Sequence, residues 1–255
     1  MTPSAAYKPS TSFGKRLSRR LTPYQGRRPL KFELSRPMVS FTFDDCPKSA
    51  VDNGLAKLEA EGWRGTVYIS GSLLGTTNHH GLQMSAKDVK DAHKRGHEIG
   101  GHGFSHIDAI DIEFESFVAD EMRNRSTLDA MGLPPCRTFA YPFGQTNKAL
   151  KMRLGSDYEG LRGITPGPMV NQLDLNQIRS TPLFRGAPFD AAMAQIKALK
   201  NTPAWLTFFT HDIQTAPTEW GCTPAQMDAV IGAVKSVGAD VLPFAEALET
   251  LRAQS

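Results

Sequence analysis

The stretch Val39-Ser40-Phe41-Thr42-Phe43-Asp44-Asp45 is a run of β-branched and aromatic residues that ends in two carboxylates. Its length and residue types predict a buried strand over 38–43. Short runs of the same kind follow at 65–69, 98–101, 138–141, 161–164, 178–184, 205–210 and 240–242. Helical patterns lie between them. Ser85 caps a run through Val89 and Ala92 that stops at Gly96, and Phe114, Phe117, Val118, Met122 and Met131 form a long stripe that stops at Gly132. Phe189, Met193, Ile196 and Leu199 share helical spacing, and Thr223-Pro224 opens a last helix ending near Gly238. Serine or threonine before the first turn and glycine after the last are the expected punctuation. Repeated strand–helix alternation implies parallel strands with helical crossovers, either an open doubly wound sheet or a (β/α) barrel.

Composition sets the outer limits. The chain has 255 residues, 40% hydrophobic and 22% charged, with net charge +3, which is an ordinary globular balance. No apolar run approaches the roughly 20 residues that span a bilayer. Three cysteines, Cys46, Cys136 and Cys222, form no C-x-x-C pair, which argues against a disulfide framework or a zinc knuckle. Residues 1–37 hold nine basic residues and one acidic residue, net +8, against −5 for the remainder. The expected organisation is therefore a basic N-terminal arm, 1–37, with little core of its own, and one domain over 38–255. The arm is read first as a solvated segment packing on an acidic body. Its sharper alternative is peripheral contact with an anionic membrane through residues 8–36. Neither Arg19-Arg20 nor Arg27-Arg28 precedes an apolar stretch, so no secretory leader is expected and a cytoplasmic location follows; an organelle transit peptide stays open.

In a barrel, function gathers where strands end at their C-termini. Asp44-Asp45 ends the first strand, and adjacent buried carboxylates need something to offset their repulsion. The third strand runs into Gly100-Gly101-His102-Gly103-Phe104-Ser105-His106, the fourth into Tyr141-Pro142-Phe143-Gly144, and the seventh into His211-Asp212. Asp45, His102 and His106 make a His₂–carboxylate set suited to one divalent ion with open positions. Zinc is the default, and cobalt, nickel or manganese suit the same ligands. Asp44 is then the proton acceptor, His211 the proton donor, and the Phe143 N–H an oxyanion donor, for metal-assisted hydrolysis of an amide or ester. His79, His80, His93 and His97 are read as surface or helix-end residues. No G-x-G-x-x-G, Walker loop or nucleic-acid motif is present, so no nucleic-acid partner is expected.

These motifs resemble those of the NodB-homology polysaccharide deacetylases, carbohydrate esterase family 4, over residues 38–250. Thr42-Phe43-Asp44-Asp45 matches the motif carrying the base and a metal ligand, and Gly96 through His106 matches the one supplying two metal histidines. Phe139-Ala140-Tyr141-Pro142-Phe143-Gly144 is similar to the motif forming one groove wall, and Phe209-Thr210-His211-Asp212 to the one carrying the acid histidine. The resemblance implies a distorted (β/α)7–8 barrel and a metal-dependent N-deacetylase of N-acetylhexosamine polysaccharides. Tyr141, Pro142, Phe143 and Phe209 become substrate-binding residues. With no leader expected, the polymer implied is an exopolysaccharide, such as a holdfast-type polymer, or its lipid-linked precursor. Four positions depart from the pattern. Gly103 lacks a hydroxyl, Ala140 replaces an Arg, Phe209 replaces a Leu, and Cys46 replaces a Gly and offers an oxidation point. Any Arg partner for Asp44 must come from elsewhere, with Arg179 and Arg185 as candidates, and Asp174 is a poor candidate for orienting His211. Rival readings are a cyclic-amide hydrolase, an inactive sugar-binding member, and a non-haem iron oxygenase, the last disfavoured by the strand–helix alternation.

Overall fold

The computed structural model describes residues 21–254. Twelve strands follow in chain order. They are β1 (Pro29–Lys31), β2 (Met38–Phe43), β3 (Thr66–Ile69), β4 (Thr77–Asn78), β5 (Gly81–Leu82), β6 (Glu98–Gly101), β7 (Thr138–Ala140), β8 (Gly160–Arg162), β9 (Gln172–Asp174), β10 (Thr181–Pro182), β11 (Trp205–Thr210) and β12 (Asp240–Val241). Eight of them build one parallel sheet in the order β10-β11-β2-β3-β6-β7-β8, with β12 also paired to β2. This is a distorted (β/α) barrel. β2 and β11 form its centre, in register from Met38 opposite Trp205 to Phe43 opposite Thr210. Both strands are buried along their whole length, as the continuous apolar runs required.

The expected strand over 178–184 is broken in two. Ile178 bridges to Arg162 in β8, while Thr181 and Pro182 pair with Phe208 and Phe209 in β11. Pro182 has no N–H for a ladder, so the segment cannot run as one regular strand. The 178–182 stretch thus touches both edges of the curled sheet and makes its seam.

The helices keep their punctuation. Ser85 and Thr223 each form a capping box, on the helices Ala86–Lys94 and Pro224–Ser236. Phe114–Ala130 is a helix, but its buried face is Phe117, Val118, Glu121, Asn124 and Leu128, and Met122 is exposed. The apolar stripe expected from the sequence is rotated, and two polar residues, Glu121 and Asn124, face inward. The helices Lys148–Gly155 and Phe244–Arg252 and the two-stranded pair β4–β5 had no clear signal.

Residues 1–20 lie outside the described residues, and with them most of the basic arm, including part of the 8–36 membrane expectation. The described part of the arm is tied to the body. β1 pairs antiparallel with β9, and Phe32 is buried in a core of Met38, Ile178, Trp205, Phe244 and Leu248. Arg28 donates to the carbonyls of Tyr158 and Glu159, and Arg36 to that of Gly238. Among the described residues, no helix is long and apolar enough to cross a membrane.

Candidate metal centre and active site

β2 delivers Asp44 and Asp45 to one end of the barrel, both buried. Asp44 receives a hydrogen bond from the Nη2 of Arg162, at the end of β8. That guanidinium is fully buried, 5.2 Å from the Tyr68 ring and 5.1 Å from the Phe209 ring. Burying a charge is costly unless it is paired, and the aromatic faces add a second attraction. Arg162 is therefore the partner of Asp44, and neither Arg179 nor Arg185 is. The missing Arg before Pro142 is replaced from the next strand. Arg162 sits in the expected strand over 161–164, and its signal in the sequence is a single charge among apolar residues.

Asp45 stands in the left-handed region, φ +62°, followed by Cys46 at φ +61°. Oδ1 of Asp45 lies 2.9 Å from Nε2 of His106 and 3.4 Å from Nε2 of His102. Asp45, His102 and His106 offer ligand atoms that all fall within 4.8 Å of one another. His102 is fixed through Nδ1, 2.7 Å from the Ala140 carbonyl, to which it donates. Its Nε2 then carries a lone pair and faces Asp45 Oδ1, itself buried without a hydrogen-bond partner. Two acceptors face to face fit a cation between them, so the residues fit a divalent ion. Burial opposes ionisation of Asp45, but the charge of His106 outweighs it and holds the carboxyl well below the usual range. Burial also opposes a charge on His106, and Asp45 outweighs it and raises that pKa.

The 102–106 loop is held from behind. Ser70 Oγ donates to the His102 carbonyl, and Asp120 accepts the N–H groups of Phe104 and Ser105. Asn124 accepts from Gly71 and donates to Ile69. Glu121 packs beside Gly101 at the end of β6 and accepts a hydrogen bond from the Tyr158 hydroxyl, while Asp120 lies against Gly103. The inward polar face of the Phe114–Ala130 helix thus buttresses the loop without the hydroxyl missing at Gly103.

Five residues depart from expectation. Tyr141 was expected to bind substrate; its side chain is fully buried, and its hydroxyl donates to the Asn176 carbonyl. Pro142 and Phe209 are also buried, and of the expected wall only Phe143 and Gly144 are partly exposed, the Phe143 ring 4.4 Å from that of His106. Cys46 is no exposed thiol: burial, then the charge of Asp45, push its pKa far up, and a protonated buried thiol resists oxidation. His97 is buried and bonded to Gly65 and Glu59.

His80 is the largest change. It sits at the β4–β5 turn, is buried, and joins the site instead of the surface. Its Nδ1 lies 3.1 Å from Asp212 Oδ1 and its Nε2 3.8 Å from Asp45 Oδ2. Its ring stacks on His211 at 4.8 Å. The signal was its position beside Gly81, where a tight turn can aim a side chain inward. His211 Nδ1 lies 3.1 Å from the Trp220 carbonyl, so a backbone group orients it, and Asp174 is elsewhere, bonded to Lys151. Burial pushes His211 down to about 4 against the pull of Asp45 and Asp44.

Comparison with known proteins bears on the family and the fold. The family model for polysaccharide deacetylases matches residues 31–157. No curated relative matches the sequence. Among solved structures, the family 4 acetyl xylan esterase from Clostridium thermocellum, with cobalt bound, is similar with TM-score 0.59 and 20% identity. The match covers 86% of this chain and 93% of that one. The Bc1960 peptidoglycan N-acetylglucosamine deacetylase gives 0.58 and 15%, covering 89% and 92%. BA3943 of Bacillus anthracis, a pseudoenzyme of the same family, gives 0.57 and 15%, covering 84% and 66%. At these identities the likeness is one of fold.

Proposed function

Because this chain belongs to the polysaccharide deacetylase family, we propose that it is a metal-dependent hydrolase that removes N-acetyl groups from N-acetylhexosamine units of a polysaccharide. The observation that carries the reading is the meeting of Asp44, Asp45, His102 and His106 at one barrel end, with Arg162 on the first carboxylate. A divalent ion held by Asp45, His102 and His106, with zinc the default, supplies a Lewis acid for the acetyl carbonyl and the attacking water.

The chain's own residues do the rest. Arg162 occupies Oδ1 of Asp44 and keeps that carboxylate oriented, so the proton of the attacking water passes to Oδ2. The Trp220 carbonyl holds Nδ1 of His211, so Nε2 is the atom that passes a proton to the leaving nitrogen. An imidazole held near 4 is neutral at pH 7, so His211 acts as a relay that must first take up the proton it delivers. Phe143, at φ +55°, forms the turn whose N–H faces the developing oxyanion in this reading.

For the polymer, we propose an exopolysaccharide or its lipid-linked precursor, supported by the basic charge of residues 1–37, which favours an anionic surface. The deciding assay is acetate release from N-acetylglucosamine oligomers, on chelator-stripped protein and again after zinc is restored, with Asp44→Asn as control. Zinc-dependent release that Asp44→Asn abolishes is expected. No release with any divalent ion would overturn the reading; it would place this chain with the inactive members that share its fold. Faster release from a lipid-linked glycan than from free oligomers is expected for the precursor, and equal rates would reject it.

A further inference from the structure

The two oxygens of Asp45 face two different pairs of histidines. Oδ1 faces His102 and His106, as described. Oδ2 faces Nε2 of His80, and the ligand atoms of Asp45, His80 and His211 again all lie within 4.8 Å of one another. We propose that Asp45, His80 and His211 form a second divalent-cation site, joined to the first through the shared Asp45 carboxylate.

Three observations carry it. First, both histidines are tied off at Nδ1. Asp212 accepts from His80, and the Trp220 carbonyl accepts from His211. Neither acceptor can supply a proton, so each Nδ1 keeps its own and each Nε2 is left with a lone pair, that of His80 facing Asp45 Oδ2. Second, the His80 arrangement is the carboxylate–histidine–metal relay that orients ligands in known sites. Asp212 is itself fixed by the Thr218 N–H at 2.8 Å and by Gln214 Nε2 at 2.8 Å, so this support is built and not incidental. Third, two nearly parallel imidazoles, 10° apart in plane, the His80 ring buried and the His211 ring half-buried, each bring a ligand atom within 4.8 Å of an Asp45 carboxylate oxygen. Without a cation, acceptors would face an acceptor there. Imidazole and carboxylate donors suit zinc or cobalt over magnesium or calcium.

The inference rests on the metal part of the proposed function, and not on the substrate. It also has a consequence for it. An ion in the second site takes the Nε2 lone pair of His211 and so removes the proton relay. Zinc beyond the first equivalent is then an inhibitor.

The test uses the full chain, stripped with chelator and titrated with Co²⁺, counted by equilibrium dialysis and followed by visible absorbance. Two equivalents are expected, the second weaker, with a separate absorbance change. His80→Asn and His211→Asn are each expected to keep the first equivalent and to weaken the second by about tenfold or more. Binding that stops at one equivalent in the wild type overturns the second site and leaves the first intact. A second equivalent that survives both substitutions also overturns it. No bound cobalt at all overturns the metal reading of the first site as well. In wild type, acetate release that rises with the first equivalent of zinc and falls with the second is the matching kinetic result.

Discussion

At the scale of single residues, the Arg162–Asp44 pair is the point where stability and chemistry meet. Breaking a buried ion pair from one side leaves an uncompensated charge, which costs about 3–5 kcal/mol. Arg162→Met should therefore lower the denaturant midpoint strongly and reduce acetate release by a factor of about 10²–10⁴. Asp44→Asn should abolish release with a smaller loss of stability. The double variant should be more stable than the sum of the two losses, because the stranded charge is gone. Additive losses in a double-mutant cycle would show that the pair is not coupled. The sequence made Asp44, Asp45, His102 and His106 readable because each follows an apolar strand and carries chemistry no core position needs. It hid Arg162 and His80. Arg162 lies within a strand whose neighbours are Leu161 and Gly163, and only the barrel's curvature brings it over Asp44. His80 reaches the site from a short hairpin whose two-residue strands leave almost no periodicity to read.

At the scale of elements, the Phe114–Ala130 helix is a buttress as much as a crossover. Asp120→Ala removes the acceptor for the Phe104 and Ser105 N–H groups and should loosen the loop between His102 and His106. The expected result is a loss of about 10–100-fold in first-site metal affinity, read by competition with a chelator. Unchanged affinity would mean that Ser70 and Ala140 suffice. Glu121, on the same helix, gives a pH dependence. Burial, against its bonds to Tyr158 and Arg125, pushes it from 4.5 up to about 7. The unfolded chain thus releases this proton at lower pH than the folded one, and stability falls as pH rises from about 4.5 to 7. The loss is on the order of 3 kcal/mol, at about 1.4 kcal/mol for each pH unit crossed. Glu121→Gln should remove that slope, as denaturant melts at pH 5 and pH 8 would show. A slope equal to wild type would assign it to another group. This helix also shows why element faces were less readable than element limits. Its length is set by local signals, whereas its rotation is set by a distant loop that needs polar partners.

At the scale of the whole molecule, an ion bound only by the folded barrel stabilises it by mass action. Zinc at about 100 times its dissociation constant adds about 2.7 kcal/mol, or about 5–10 °C in Tm for a chain of this size. Asp45→Asn should melt at one temperature with or without zinc, and a retained shift would assign the ion to another place. The barrel's seam has its own consequence. One bridge at Ile178 and two residues of β10 hold that side, against six paired residues between β2 and β11. Unzipping on warming should start there, with the amides of Gly163 and Ile178 exchanging ahead of those in β2. Arg162 stands on the strand that comes loose first, so Asp44 loses its partner while the rest of the barrel is still folded. Such an enzyme falls silent before it melts: acetate release should fade several degrees below the loss of helical signal.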